Sequence, residues 1–503
     1  RGIIMSTAAN LIQDKCGLVG IYSPKYTLQI SVALTAASGV QHRGTQGAGI
    51  AIYTQKGLKR HIGHGLIQDV FNEITLKRLA HKSLWTMVHC RYGTSGKYIK
   101  ENLQPISLNS GSDTITLIHN GEFTGVENLK KKVKSNLPPG ASDTYIVTQL
   151  LKESSGNSWD KRILTLTEHL MGAFNLIIGV NDQMYVVRDP WGVRPFVLGK
   201  RNSDWVVTSE THALDKISVK AKREIGRGEV LKFDKGGITR LRKGKDGRGN
   251  FCDFEWAYFS RPDSMLPTYE HKNDGSHPER WMSVTEFRER CGKTLAREVP
   301  HKYATFVVGI PDSGIHIALG YARALSLPYR QVIIRDHYDR NGNQRLFMRD
   351  DELNQIKKKV LGKISFTPDP RIWKDAVVVL GDDSIVRGNV AKEVTRAVWA
   401  LGVREIHWIV GFPPILFRCH LGVSMRTEAE LIAPKHAADP IKIARAIGAT
   451  SVSYISKVGL LRAKFDRKKV LMPEDENKLF LLNGGCGGCL TGIYPVSKTG
   501  VVQ

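Results

Sequence analysis

The stretch VVVLGDDSIVRGNVAK at positions 377–392 gathers, in one short ordered string, residue types that suit phosphate and sugar recognition. It opens on consecutive apolar residues of high β-propensity with no alternation, the pattern of a buried parallel strand. Asp382 and Asp383 follow at the strand's carboxyl end, where carboxylates could bind ribose hydroxyls or a magnesium ion. The turn runs through Ser384, Arg387 and Gly388, and apolar spacing at Val394, Ala397, Val398 and Leu401 predicts a helix from about 389–391. Strand, turn and helix N-terminus together aim backbone N–H groups and a positive dipole end at one point, where a phosphate can sit. A lone DD or a lone RG occurs in ordinary βα turns, whereas the whole string DDSIVRG behind an apolar strand is far more specific.

Three other places carry chemistry. An apolar strand predicted at 305–310 ends in Pro311-Asp312-Ser313-Gly314 before a predicted helix over 315–324; Asp and Ser there serve a ligand, cap the helix, or do both. Cys16 heads CGLVGI (16–21) and reads either as a small buried hydrophobe or as a nucleophile. The second reading requires removal of residues 1–15, so that the α-amine of Cys16, with an unperturbed pKa of about 7.7–8.0, can act as general base. The knuckle Cys486-Gly487-Gly488-Cys489 is open to zinc, to a redox pair or to half of an iron–sulfur site.

The elements that must position these residues differ between the halves. The first half is β-rich, with strands predicted at 16–21, 49–53, 84–90, 115–118, 173–180, 184–187 and 205–208, and helical spacing over 27–39, 126–132 and 143–152. In the second half a helix is predicted at 285–298, and strands at 305–310, 331–334, 376–380 and 405–410 alternate with helices, the pattern of a parallel α/β sheet. The charged, glycine-rich segment RKGKDGRGN (242–250) reads as a linker or exposed hairpin between them.

A length of 503 residues predicts two or three domains. There is no run of about eighteen apolar residues, so no transmembrane helix is expected, and the first fifteen residues lack a signal-peptide apolar core. The net charge of +25 fits nucleic-acid binding, a basic proteome or attraction of a polyanionic small substrate; the basic residues are scattered and form no aromatic-interleaved stripe, so nucleic acid is not expected as a partner. Seven cysteines, an odd number spread along the chain, do not form a secreted disulfide framework and predict a reducing, cytoplasmic setting.

The string DDSIVRG resembles the ribose-5-phosphate loop of type I phosphoribosyltransferases, and most closely that of the glutamine phosphoribosylpyrophosphate amidotransferases. The first half resembles the N-terminal-nucleophile glutaminase domain of the same family through CGLVGI (16–21), QHRG (41–44), HCRYGTSG (89–96), QP (104–105), HNGEF (119–123), SDT (142–144), GAF (172–174), RDPWGVRP (188–195) and SET (209–211). The resemblance implies a leader at 1–15, an α+β glutaminase domain at 16–245 built as a four-layer αββα sandwich, and an α/β phosphoribosyltransferase domain at 246–503 with a parallel sheet and a cluster-binding tail. It implies glutamine hydrolysis at Cys16 through a thioester, with Arg91 on the glutamine α-carboxylate, Asp143 on its α-amine, and Asn120 and the Gly121 N–H as oxyanion hole. The released ammonia would displace pyrophosphate from phosphoribosylpyrophosphate, giving 5-phosphoribosylamine, the first committed step of de novo purine biosynthesis. That second substrate would be held by Asp312, Ser313, Gly314, Asp382, Asp383, Ser384, Arg387, Gly388 and, from a closing loop, Arg345, with magnesium at Ser313, Asp382 and Asp383. An iron–sulfur subgroup of the family has four ligand places, and this chain has cysteine at each: Cys252, Cys419, Cys486 and Cys489. Purine nucleotides as feedback inhibitors and a homo-oligomer, dimer or tetramer, also follow from the resemblance.

Two features depart from the family pattern. The phosphate loop continues Asn389-Val390 where the family has two threonines, and the closing loop reads RDHYDRNGNQRLF (335–347), with Tyr338 displaced from Arg345 and Phe347. They leave open a catalytically weakened regulatory or RNA-binding homologue. A glutaminase coupled to a sugar-isomerase half, as in glucosamine-6-phosphate synthase, is a further rival, against which the DDSIVRG loop stands.

Overall fold

Apolar strands in the first half pair antiparallel into two sheets, because alternate residues can be buried on both faces only when further layers cover them. The computed structural model describes residues 16–92, 99–245, 249–269, 279–335, 364–423, 425, 427–465 and 470–500. One sheet has seven strands in the order Ala221–Glu224, Val197–Arg201, Asp204–Thr208, Gly17–Leu28, Lys82–Arg91, Gly47–Thr54 and Gly57–His64. The other has six, in the order Gly237–Arg242, Val230–Asp234, Gln183–Arg188, Gly172–Val180, Asp113–Phe123 and Ile106–Ser110. Leu18, Tyr22, Ala51 and Trp85 of the first meet Ile118, Ile177, Met184 and Leu231 of the second in the layer between the sheets. Helix Ile30–Ser38 covers the outer face of the first, and helices Asp143–Glu153 and Trp159–Glu168 cover that of the second. This is the expected αββα sandwich. The predicted short strand at 16–21 runs on to Leu28, and the helix starts only at Ile30.

In the second half, strands Phe306–Gly309, Val377–Asp382, Glu405–Val410 and Ser451–Tyr454 form a parallel sheet in that order. Its unbroken apolar strands are explained by burial on both sides. Val307, Val377, Val379 and Ile409 face one core with helices Val284–Glu298 and Gly314–Leu325. Phe306, Val378, Leu380 and Trp408 face another with helices Asn389–Trp399 and Pro440–Ile447. The strand expected at 331–334 is shorter and displaced, Ile333–Arg335, and lies outside this sheet: it pairs antiparallel with Ile364–Phe366. Only three residues long and exposed at Ile334 and Arg335, it lacks the two-sided burial of the central strands.

The segment between the halves is pinned at the residues described. Lys245 N–H donates to Arg227 C=O at 2.9 Å, and Asn250 N–H to Trp191 C=O at 2.7 Å. Beyond it lies a buried network of charges. Glu255, on a π-helical turn at Glu255–Phe259, accepts Arg194 at 2.8 Å and Arg43 at 2.5 Å. Glu210 takes Arg43 Nε at 2.9 Å, His42 at 2.8 Å, the Arg261 N–H at 3.0 Å and the Ser264 hydroxyl at 2.6 Å. Burial pushes Glu210 upward, but His42 and Arg43 outweigh it and hold the carboxyl well below the usual range. The motifs QHRG and SET thus face the junction as well as the sandwich. Among the described residues no helix is long and apolar enough to cross a membrane.

Candidate functional site

Two sites emerge, one in each half. In the sandwich, pairing of Gly17 with Cys90 sets Cys16 beside the end of strand Lys82–Arg91, next to Arg91. Cys16 is buried at 7 % exposure, adopts φ +37°, and its thiol donates to Tyr92 C=O at 3.8 Å. Asn120 and Gly121 come from the facing sheet, in strand Asp113–Phe123. Ser209 joins the two sheets: its hydroxyl oxygen accepts Leu18 N–H at 3.0 Å and Asn120 Nδ2 at 3.5 Å. Gly121 has φ +141°, and a Cβ there would lie 1.9 Å from Ala173 O on the neighbouring strand, so only glycine fits.

Asp143 is the first residue of helix Asp143–Glu153, whose start is capped by the Ser142 hydroxyl accepting Tyr145 N–H at 3.2 Å. The Asp143 carboxylate accepts Thr144 N–H at 2.8 Å and Phe123 N–H at 3.4 Å, which keeps it beside the Asn120–Gly121 strand. Asn102 ties this group together. Its carbonyl accepts Arg91 Nη1, its Oδ1 accepts Ser142 N–H at 2.7 Å, and its Nδ2 donates to Gly140 C=O at 2.9 Å. Neither Asn102 nor Ser209 stood out as a linking residue in the sequence; the signals available were an asparagine two residues before Gln104-Pro105 and the serine of SET. A thiol, a guanidinium, a carboxylate and amide donors at one strand end can bind an α-amino acid and stabilise a tetrahedral oxyanion.

The second site lies at the carboxyl ends of the parallel strands, around a cavity of about 160 Å³. Its wall includes Tyr258, Ser313, Asp382, Asp383 and the whole turn 384–391. Gly388, at φ +79°, turns the chain into helix Asn389–Trp399, and no side chain caps that start. The first-turn N–H groups of a helix have no partner within it, so the cavity wall offers anion donors from backbone alone. Ser313 stands at the N-cap of helix Gly314–Leu325 without capping it. Its hydroxyl donates to Asp383 at 2.5 Å instead, while the Ser384 hydroxyl donates to the other Asp383 oxygen at 2.6 Å. Burial raises both acids, and Asp382 is raised further by the charge of Asp383. Asp312 is paired with Arg335, and Arg387 with Glu430. The expected closing-loop residues Tyr338, Arg345 and Phe347 lie outside the described residues, as do residues 1–15 of the expected leader.

The metal expectations are corrected. Among the described residues, no group of three or more His, Cys, Asp or Glu side chains is disposed to hold a metal ion. The iron–sulfur expectation rested on Cys252, Cys419, Cys486 and Cys489. Cys252 faces Cys486 across the short parallel pair Phe251–Cys252 and Gly485–Cys486, and all four pack into one apolar cluster. Burial, with the neighbouring cysteines adding to it at Cys486 and Cys489, pushes the Cys252 thiol up to about 12 and those of Cys486 and Cys489 well above their usual value. Cys419 accepts Leu421 N–H at 3.3 Å. The magnesium expectation at Ser313, Asp382 and Asp383 fails by the same test: these groups are turned on one another, with Asp382 Oδ1 accepting Asp383 N–H at 2.9 Å.

Comparison with known proteins covers both halves of the chain. A family model described as a glutamine amidotransferase domain matches residues 90–216. The amidophosphoribosyltransferase of Archaeoglobus fulgidus is 32 % identical over 500 residues, covering 96 % of this chain and 99 % of that one. The human amidophosphoribosyltransferase is 33 % identical over 533 aligned positions, covering 96 % and 98 %. The chloroplastic enzyme of Glycine max is 33 % identical over 489 residues, covering 96 % and 79 %. In structure, the glutamine phosphoribosylpyrophosphate amidotransferase of B. subtilis complexed with ADP and GMP superposes with a TM-score of 0.80 at 31 % identity, covering 95 % of this chain and 97 % of that one. With similarity of this extent running through both halves, the chain belongs to the amidophosphoribosyltransferase family.

Proposed function

We propose that this protein is a glutamine-dependent amidophosphoribosyltransferase acting in purine biosynthesis. The observation that carries the reading is the presence, in one chain matched along 96 % of its length by such enzymes, of a nucleophile site in an αββα sandwich and a phosphate-loop cavity on a parallel sheet. The sugar-isomerase alternative is set aside by the same match over the second half.

In this reading residues 1–15 are removed and the α-amine of Cys16 takes the thiol proton as sulfur attacks the glutamine side-chain carbonyl. Asn120 Nδ2 and the Gly121 N–H stabilise the oxyanion, while Arg91 and Asp143 hold the α-carboxylate and α-amine. Ammonia leaves, and water releases glutamate from the thioester. In the second half, backbone N–H groups of the 384–391 turn hold the 5-phosphate, and Asp382 and Asp383 hold ribose hydroxyls. Asp312, Ser313 and Gly314 line the pyrophosphate end. Ammonia forms the new C–N bond at C1 as the C–O bond to pyrophosphate breaks, so catalysis there consists mainly of positioning and charge stabilisation.

Purine nucleotides are proposed as feedback ligands, supported by the ADP and GMP complex of the B. subtilis relative. A homo-oligomer and a cytoplasmic setting complete the reading. Release of pyrophosphate, assayed with glutamine and phosphoribosylpyrophosphate together and with each omitted, tests it. Turnover that requires both substrates is expected, and no turnover with both present overturns it.

A further inference from the structure

The phosphate loop is held from outside by a short strap. Residues 428–432 touch it at three successive positions. Ile432 N–H donates to Val386 C=O at 2.8 Å. The Glu430 carboxylate accepts Arg387 Nε at 2.8 Å and Arg387 Nη2 at 2.5 Å on the same oxygen. Ile432 packs so closely on Gly388 that a Cβ there would come within 2.4 Å of its Cδ1. The Arg387 side chain is only 13 % exposed, with Glu430 at 29 %, so this pair is less screened than an ordinary surface ion pair.

We propose that Glu430 is a positioning residue for phosphate capture, and that Arg387 acts through it as a brace of the 384–391 turn instead of as a phosphate ligand. The inference rests on the cavity being the phosphoribosylpyrophosphate site. Two observations lead to it. The helix that begins at Asn389 has no side-chain cap, so its start is anchored in the cavity wall by the turn before it and by what holds that turn. The guanidinium expected to meet the phosphate is already oriented and neutralised through two of its nitrogens. Because capture depends on backbone N–H direction, the strap that sets the turn sets affinity without touching substrate.

The test is a binding cycle on the full chain. Phosphoribosylpyrophosphate is titrated calorimetrically into wild type, Arg387→Gln, Glu430→Gln and the double variant, each verified as folded by circular dichroism. A brace predicts that either single change weakens binding by about 5- to 10-fold and that the double variant is no worse than either single one. Glu430→Asp, which keeps the charge, recovers part of the loss and keeps the test open if Glu430→Gln folds poorly. In ammonia-dependent turnover KM rises while kcat is kept. The salt dependence of the affinity is the same for the double variant as for wild type, because a neutral pair has been removed and no charge on the ligand has lost its partner. A phosphate-ligating Arg387 gives the opposite pattern: Glu430→Gln leaves binding unchanged or tighter, Arg387→Gln weakens it in both backgrounds, and the salt dependence becomes shallower. That pattern overturns the proposal. Folded wild type that binds no phosphoribosylpyrophosphate overturns the reading of the cavity and the proposal with it, an outcome distinct from an additive cycle.

Discussion

Replacing Glu255 by glutamine would keep the shape of the junction and remove one buried charge. The carboxylate is fully buried, 2.8 Å from Arg194, 2.5 Å from Arg43 and 3.0 Å from the Ser260 hydroxyl that donates to it. Both guanidiniums are themselves 0–1 % exposed at their side chains, so water cannot take over. Arg43 keeps Glu210 at 2.9 Å, whereas the contacts Arg194 keeps include the Leu421 carbonyl at 3.3 Å, a neutral acceptor in place of a carboxylate. Removing one partner of a buried pair costs about 3–5 kcal/mol, chiefly because the opposite charge stays buried. A chain of several domains does not unfold in two states, so the loss is best read locally. Hydrogen exchange of amides in residues 255–260 should accelerate by roughly a hundredfold or more, at about tenfold per 1.4 kcal/mol. Adding Arg194→Met, which removes the buried guanidinium that faced Glu255, should return part of that protection. Exchange in Glu255→Gln within about threefold of wild type, less than roughly 1 kcal/mol, would refute the view that these charges hold the halves together.

Other outcomes follow from the same geometry. Gly121→Ala forces a methyl against Ala173 O and should cut glutamine hydrolysis by about 10²–10³-fold while ammonia-dependent turnover is largely kept, as paired assays with the two nitrogen donors would show. Asp382→Ala should weaken phosphoribosylpyrophosphate binding far more than Asn389→Thr with Val390→Thr strengthens it, the latter by roughly 1.5–3 kcal/mol at most, as titration of both variants would measure. Burial, reinforced by Arg91, pushes His89 down to about 3, so it stays neutral in the folded chain while the unfolded chain takes a proton below about 6.5. Its contribution to stability is therefore complete above about pH 6.5 and is lost as pH falls, by at most about 1.4 kcal/mol per pH unit; melting curves at several pH values should show the slope, and His89→Gln should flatten it.

Local signals were legible where one segment contains the whole device. The apolar strand, the acids and the helix start of 377–392 appear as read, because strand burial, turn and helix period are all written in contiguous residues. The sandwich was legible through its motifs. What could not be read was pairing over distance. Ile333–Arg335 looks like the neighbouring strands in sequence yet pairs antiparallel outside the sheet. Ser313 has the composition of a cap, but its hydroxyl meets Asp383, seventy positions away. Arg387 looked like a phosphate ligand, and only the folded chain shows Glu430 on it. The cysteine and acid clusters were misread as metal sites because spacing and resemblance say nothing of whether side chains converge as ligands or pack as neutral neighbours.

The central claim is that one chain makes ammonia at Cys16 and uses it at a separate cavity. Pyrophosphate release by Cys16→Ala, measured with glutamine and then with ammonium salt as nitrogen donor, tests it most directly. The expected result is no turnover with glutamine and turnover near that of wild type with ammonium. Equal loss with both donors in a folded variant, or undiminished turnover with glutamine, would contradict it.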